Sequence, residues 1–170
     1  MIRRALSIVF ALMIVMTPNT ASTGFLSEDN EDIMCLATNI YFEARNQPLV
    51  GQIAVGMVTL NRVQSPKFPN TVCGVVYQAK MYKNWKGNYV PVRNKCQFSW
   101  YCDGLTEQID DVVAWDESVA LAEQLYFGTM IDITEGSTFY HNLNVDPYWN
   151  KHYYKRTKID DHIFYAYNER

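Results

Sequence analysis

Glycine and proline are scarce in this sequence, at eight and six of 170 residues, which excludes a collagenous or low-complexity chain. There is no basic excess, since 15 Lys and Arg stand against 18 Asp and Glu. A dedicated nucleic-acid binder is disfavoured on that ground. No apolar run is long enough for a permanent membrane span. The longest is Ala5 to Met16, interrupted by Ser7, and it rises about 18 Å as a helix against a hydrocarbon core of roughly 30 Å. Internal repeats, paired C-x-x-C knuckles and an H-E-x-x-H word are all missing. What abounds is apolar material, 48% of the chain, enough for a sizeable core. Aromatics reach 14%, with 12 Tyr and 4 Trp. Their flat faces and polar tips suit sugar stacking or an interface as well as a core.

The N-terminus carries an address. Arg3 and Arg4 precede the apolar run, and Thr17, Pro18, Asn19, Thr20, Ala21 and Ser22 follow it. A basic start, a short apolar stretch and a small-residue exit make residues 1–22 a signal peptide or an N-terminal anchor. Export to the periplasm, cell envelope or exterior follows, with transient membrane association through this segment. Residues 23–30 read as a linker and 31–170 as one domain. Cys35, Cys73, Cys96 and Cys102 are an even set in an exported chain, which suggests disulfides. Three pairings are open. A four-thiolate zinc site is the competing reading, and the spacings do not favour it.

Ile33, Leu36, Ala37, Ile40, Tyr41 and Ala44 make a helical stripe, and Cys35 and Phe42 lie on the opposite side, so this helix is expected to be central. Val50 to about Val63 makes a second helix, ended by Ser65-Pro66. Asn70 reads as the cap of a short segment over 71–77. Residues 79–95 are largely polar and read as a long loop. Cys96 to Tyr101 reads as a strand, Trp115 to Phe127 as a helix stopped at Gly128, and Ser137 to Asn142 as a strand. Two strands are expected around Asp160-Asp161. Helices first and short antiparallel strands late give α+β.

Glu43 stands out physically. It sits at the edge of the first apolar stripe and in the last turn before Pro48. The helix C-terminus disfavours a carboxylate, and partial burial among Tyr41 and Phe42 acts the same way. A carboxyl group that keeps its proton near neutral pH is a general acid. The competing reading is a solvent-facing Glu paired with Arg45. Asn61 falls on the apolar face of the second helix and must find partners, either orienting Glu43 or bridging helices. Gln97, Ser99 and Asp103, interleaved with Phe98 and Trp100, form the densest polar and aromatic cluster. Alternation along a strand puts Gln97, Ser99 and Tyr101 on one face, and Trp100 is expected in the core. His141, His152 and His162 match no compact metal motif, so no metal and no cofactor is expected. Asp110-Asp111 and Asp160-Asp161 read as turns and solvated faces.

Six words occur in order: Tyr41-Phe42-Glu43-Ala44-Arg45, Gly51-Gln52-x-Ala54-Val55, Leu60-Asn61-Arg62-Val63, Phe68-Pro69-Asn70-Thr71-Val72, Cys96-Gln97-Phe98-Ser99-Trp100-x-Cys102-Asp103-Gly104 and His162-Ile163-Phe164-Tyr165. Over about residues 33–167 this series resembles the SleB/CwlJ family of cell-wall hydrolases. The resemblance implies a small α+β domain related to lysozyme-like and resuscitation-factor folds. It implies a peptidoglycan partner, cleaved between N-acetylmuramic acid and N-acetylglucosamine, and Glu43 as the catalytic glutamate. It further implies that Asn61, Gln97, Ser99, Asp103, Tyr140 and His141 are candidate substrate-binding residues. One departure matters. The family word continues Glu-Ala-Arg-Gly-Glu, whereas Asn46-Gln47 follow here. Gln cannot act as a base, and ordinary glycoside hydrolysis needs two carboxyl groups. A lytic transglycosylase manages with one, which favours that outcome. The rival functions are a zinc-dependent amidase and a non-catalytic wall-binding factor on the same scaffold.

Overall fold

The computed structural model describes residues 23–167, so the segment read as a signal or anchor lies outside the described residues. Three helices come first: α1 (Thr23–Ala44), α2 (Leu49–Gln64) and the short α3 (Val72–Val76). A hairpin of β1 (Ala79–Lys83) and β2 (Tyr89–Cys96) follows, then a 3₁₀ turn at Ser99–Cys102 and helix α4 (Val112–Tyr126). Strands β3 (Phe139–Asn142), β4 (Tyr154–Ile159) and β5 (His162–Ala166) close the chain, with a 3₁₀ turn at Tyr148–His152. They form an antiparallel sheet in the order β3-β5-β4. The α+β expectation therefore holds. Among the described residues, no helix is long and apolar enough to cross a membrane.

Helix α1 is central for the reason its two-sided apolar pattern gives. Leu36, Ala37 and Ile40 are fully buried and pack with Met57 of α2, Val72, Val75 and Val76 of α3, and Leu121, Ala122 and Leu125 of α4. A Cβ at Gly56 would collide with Leu125 and press on Ile40, so glycine lets α2 approach both neighbours. The sheet lays Phe164 against Ala54 and Val58 of α2. Cys35–Cys73 ties α1 to α3, and Cys96–Cys102 joins two residues six positions apart. These bridges contribute roughly 4 and 2 kcal/mol by the chain-entropy argument. With all four sulfurs paired, the thiolate zinc site is excluded.

Several expected boundaries move. Residues 23–30 belong to α1 rather than to a linker, and Asp29 of that segment accepts from the Tyr126 hydroxyl of α4 at 2.8 Å. The polar stretch 79–95 is not a loop but the exposed hairpin, turned at Asn84, whose Oδ1 accepts from the backbone amides of Lys86 and Asn88 at 3.0 Å each. Thr71, not Asn70, caps α3, accepting from the Gly74 amide at 3.0 Å. Asp111 caps α4, accepting from the Ala114 amide at 3.0 Å, which starts that helix three residues before Trp115. Only Cys96, the end of β2, belongs to a strand, and residues 97–101 do not. An extended run from Cys96 to Cys102 would part the two by about 20 Å, and the disulfide holds their Cα atoms 6.2 Å apart.

Candidate active site

Glu43 ends α1, one residue before the helix stops, and its side chain is half-buried. Three groups from distant parts of the chain converge on it. The Tyr140 hydroxyl of β3 donates to Oε2 at 3.0 Å. The backbone amide of Ser99 in the 3₁₀ turn faces the same carboxyl group and favours its charged form. Arg62 of α2 supplies a nearby positive charge. Burial raises the Glu43 pKa above the usual carboxylate value, and the phenol, the guanidinium and the amide pull it down; burial prevails. Burial and the neighbouring carboxyl hold the Tyr140 hydroxyl well above its ordinary range, so it is a hydrogen-bond donor at every working pH.

Arg62 is itself buried. Its Nε donates to the Thr138 carbonyl at 2.8 Å. Its guanidinium lies 4.9 Å from the Phe98 ring centroid, 5.4 Å from Phe68 and 5.9 Å from Phe139. Nη1 is buried without a hydrogen-bond partner among the described residues. Desolvation lowers the Arg62 pKa, with Tyr140 and Glu43 opposing it. Three aromatic faces partly replace the missing water, and the charge remains available to a carboxylate formed at Glu43. A cavity of about 360 Å³ opens here, lined by Arg62, Gln97, Phe139, Tyr140, Tyr148 and Trp149 among others. A second, of about 260 Å³, is lined by Phe42, Arg45, Trp100 and Asp103.

One turn before Glu43 on α1, Asn39 is fully buried. Its Nδ2 donates to Thr59 Oγ1 at 3.0 Å and its Oδ1 accepts from Trp100 Nε1 at 3.0 Å. Trp100, in the core as expected, stacks on Phe42 with ring centroids 4.9 Å apart. The 3₁₀ turn that brings Ser99 to Glu43 is thereby pinned to α1.

The other expected residues divide. Tyr140 meets Glu43 directly. Ser99 does so through its backbone, while its side chain is exposed. Gln97 lies exposed on the rim of the larger cavity. Asp103 lines the second cavity but spends Oδ1 on its own turn, accepting from the Leu105 amide at 2.7 Å. Asn61 ties α2 to the loop at 132–137 rather than to another helix. Its Nδ2 lies 2.9 Å from Asp132 Oδ2, 3.1 Å from Thr134 Oγ1 and 3.1 Å from the Ser137 carbonyl. It lines a separate cavity with Ser65, Gly136 and Tyr167. His141 projects from the face of β3 opposite to Tyr140 and is buried. Its Nδ1 lies 2.9 Å from the Asn142 carbonyl and its Nε2 2.9 Å from the Tyr165 hydroxyl. Arg62 and Asn39 are the members that sequence reading did not single out; a cation inside the apolar stripe of α2 was the available signal for the first. Gln47 sits in the turn after α1, its side chain against Gly51 at the start of α2 and its carbonyl accepting from Gln52 Nε2 at 3.0 Å. Among the described residues, no three His, Cys, Asp or Glu side chains gather to hold a metal ion.

The model of a family described as Cell Wall Hydrolase matches residues 46–165, a span that begins three residues after Glu43. A spore cortex-lytic enzyme of Bacillus subtilis (strain 168) is 51% identical over 49 residues, 29% of this chain and 16% of that protein. One of Bacillus cereus is 47% identical over 51 residues, 30% of this chain and 20% of that protein. The chain thus spans a fifth or less of the length of these relatives in the matched segment. Among solved structures, the catalytic domain of the Bacillus cereus SleB protein superposes with a TM-score of 0.58 at 30% identity, covering 81% of this chain and 91% of that one. The catalytic domain of a germination-specific lytic transglycosylase, SleB of Bacillus anthracis, gives 0.57 at 27% identity, covering 88% and 100%.

Proposed function

Because this chain belongs to the cell wall hydrolase family, we propose that it cleaves the peptidoglycan glycan strand between N-acetylmuramic acid and N-acetylglucosamine, as a lytic transglycosylase with Glu43 as its single acid and base. The observation that carries this reading is the Glu43 carboxyl group, half-buried beside a cavity, its proton favoured by burial and its conjugate base braced by Tyr140, the Ser99 amide and Arg62. None of these three is a carboxylate, and the position of the family's second Glu holds Gln47.

The chemistry follows from that arrangement. Protonated Glu43 gives its proton to the glycosidic oxygen as the bond to the muramic C1 breaks. The 2-acetamido group of the same sugar supports the positive charge developing at C1. The resulting Glu43 carboxylate is held by the phenol, the amide and the guanidinium, interactions stronger to the anion than to the acid. It then takes the proton of the muramic C6 hydroxyl as that oxygen bonds C1, which yields a 1,6-anhydro sugar and restores the acid. No water enters the balance. The two disulfides support an exported site of action, in the periplasm, envelope or exterior, and residues 1–22 are the segment that would take the chain there.

Mass analysis of muropeptides released from purified sacculi by the full chain tests the reading. Anhydro-muropeptides, one water lighter than the hydrolytic products, are expected. Reducing muramic ends without anhydro products would overturn transglycosylation. New amino groups without new sugar ends would overturn glycan cleavage altogether.

A further inference from the structure

The chain's charges are segregated. Residues 44–102 hold eight of the 15 Lys and Arg and none of the 18 Asp and Glu. Five of those cations, Lys80, Lys83, Lys86, Arg93 and Lys95, stand on the β1–β2 hairpin, an arm whose tip exposes 89% of Trp85. The arm joins the site. Its pairing is irregular at the base, where Ala79 faces Cys96 but Met81 already faces Pro91, and Asn94 turns through a φ of 57°. This bulge presents Lys80 and Lys95 to a cavity of about 670 Å³. That cavity shares Cys96, Gln97, Tyr148 and Trp149 with the one lined by Arg62 and Tyr140. Arg93 is engaged elsewhere, its Nε donating to the Asp103 carbonyl at 3.1 Å. Lys80 and Lys95 form no ion pair with any described residue. An uncompensated pair of ammonium groups therefore lies at one end of two adjoining cavities whose other end is lined by Arg62 and by Tyr140, the partner of Glu43, with Tyr148, 85% exposed, and the half-buried Trp149 shared between them.

We propose that the base of this hairpin is a subsite for the ionised carboxylates of the peptide stems on the strand being cut, with Lys80 and Lys95 as their ligands and Tyr148 and Trp149 as the sugar platform between them and Glu43. The inference rests on the glycan-cleavage reading and adds a substrate class to it: strands that carry charged stems are preferred over strands whose stems are neutral or absent. The charge segregation makes the arm attractive to such a polymer. Continuity of the two cavities places the polymer's neighbouring sugar and its stem where these side chains are.

The test uses the full chain and sacculi freed of phosphate polymers, so that their remaining anions are carboxylates. Half of the preparation has its carboxyl groups converted to neutral amides. The wild type should cut untreated sacculi several-fold faster than amidated ones at low salt, and the preference should fade as salt rises. The double variant K80Q/K95Q should lose roughly tenfold in kcat/KM on untreated sacculi and change little on amidated ones. K80R/K95R should retain the preference, which excludes a folding defect. Equal losses on both substrates, or no loss on either, would overturn the subsite. A double variant that keeps the preference but no longer binds phosphatidylglycerol vesicles would assign the arm to a membrane surface and overturn it as well. Glycan cleavage itself fails separately, by wild-type chain that cuts neither preparation.

Discussion

Asn39 and Glu43 lie one turn apart on the same helix, and the fold treats them in opposite ways. Asn39 is fully buried, and both ends of its amide are satisfied, by Thr59 and by Trp100. Glu43 is only half-buried, and burial still outweighs the three groups that would favour its charge. A buried polar group with every bond made adds order and costs little. A carboxyl group left short of what its anion needs keeps its proton and can give it away. The contrast separates scaffold from chemistry over a single helical turn.

Exchanging the acid is the largest available break. Glu43→Gln keeps size and acceptor capacity but cannot release a proton, so lysis of sacculi should fall about 10³-fold. The same change should stabilise the fold at neutral pH. A raised folded pKa means that the native state holds a proton the unfolded chain gives up, so the wild type's stability from this group is present below the ordinary Glu value and is lost as pH rises through the raised one. The melting-temperature advantage of Glu43→Gln should therefore widen across that window, and an advantage independent of pH would contradict the burial of a protonated carboxyl.

Asn39→Leu attacks the other member. It leaves the indole N–H of Trp100 without its partner and should cost about 2–3 kcal/mol in denaturant unfolding, while the pH profile of the residual activity stays where it was. A moved profile would show that the two residues are not separable. The finest discrimination comes from Tyr140→Phe, which keeps the ring in place and removes one hydrogen bond to Oε2. Because that bond lowers the Glu43 pKa, its loss should shift the alkaline limb of the activity profile to higher pH and slow lysis about tenfold. An acid-going shift would mean that Tyr140 stabilises the protonated form instead.

Glu43 was legible in the sequence because its placement depends on local facts, a helical stripe and a helix end. The terminal strands were legible too, since β5 buries Phe164, Tyr165 and Ala166 beside exposed turn residues. The hairpin at 79–96 was not. Burial along β1 and β2 never rises above partial, so no period-two signal exists to find. Arg62 was hidden for another reason. Its role comes from Thr138, Phe139 and Tyr140, far along the chain, and helical spacing carries no trace of that. Asn61, three turns into α2, looked equally poised, and only the 132–137 segment decides that it is an anchor for a loop.

The ring closed by Cys96 and Cys102 encloses Ser99, whose amide holds Glu43, and the same ring is where the cationic arm is rooted. The arm stands out into solvent along most of its length, and its base is fixed at the knot. A polymer tugging on the tip would leave the proton donor undisturbed, as a mooring line slackens and tightens without shifting the bollard.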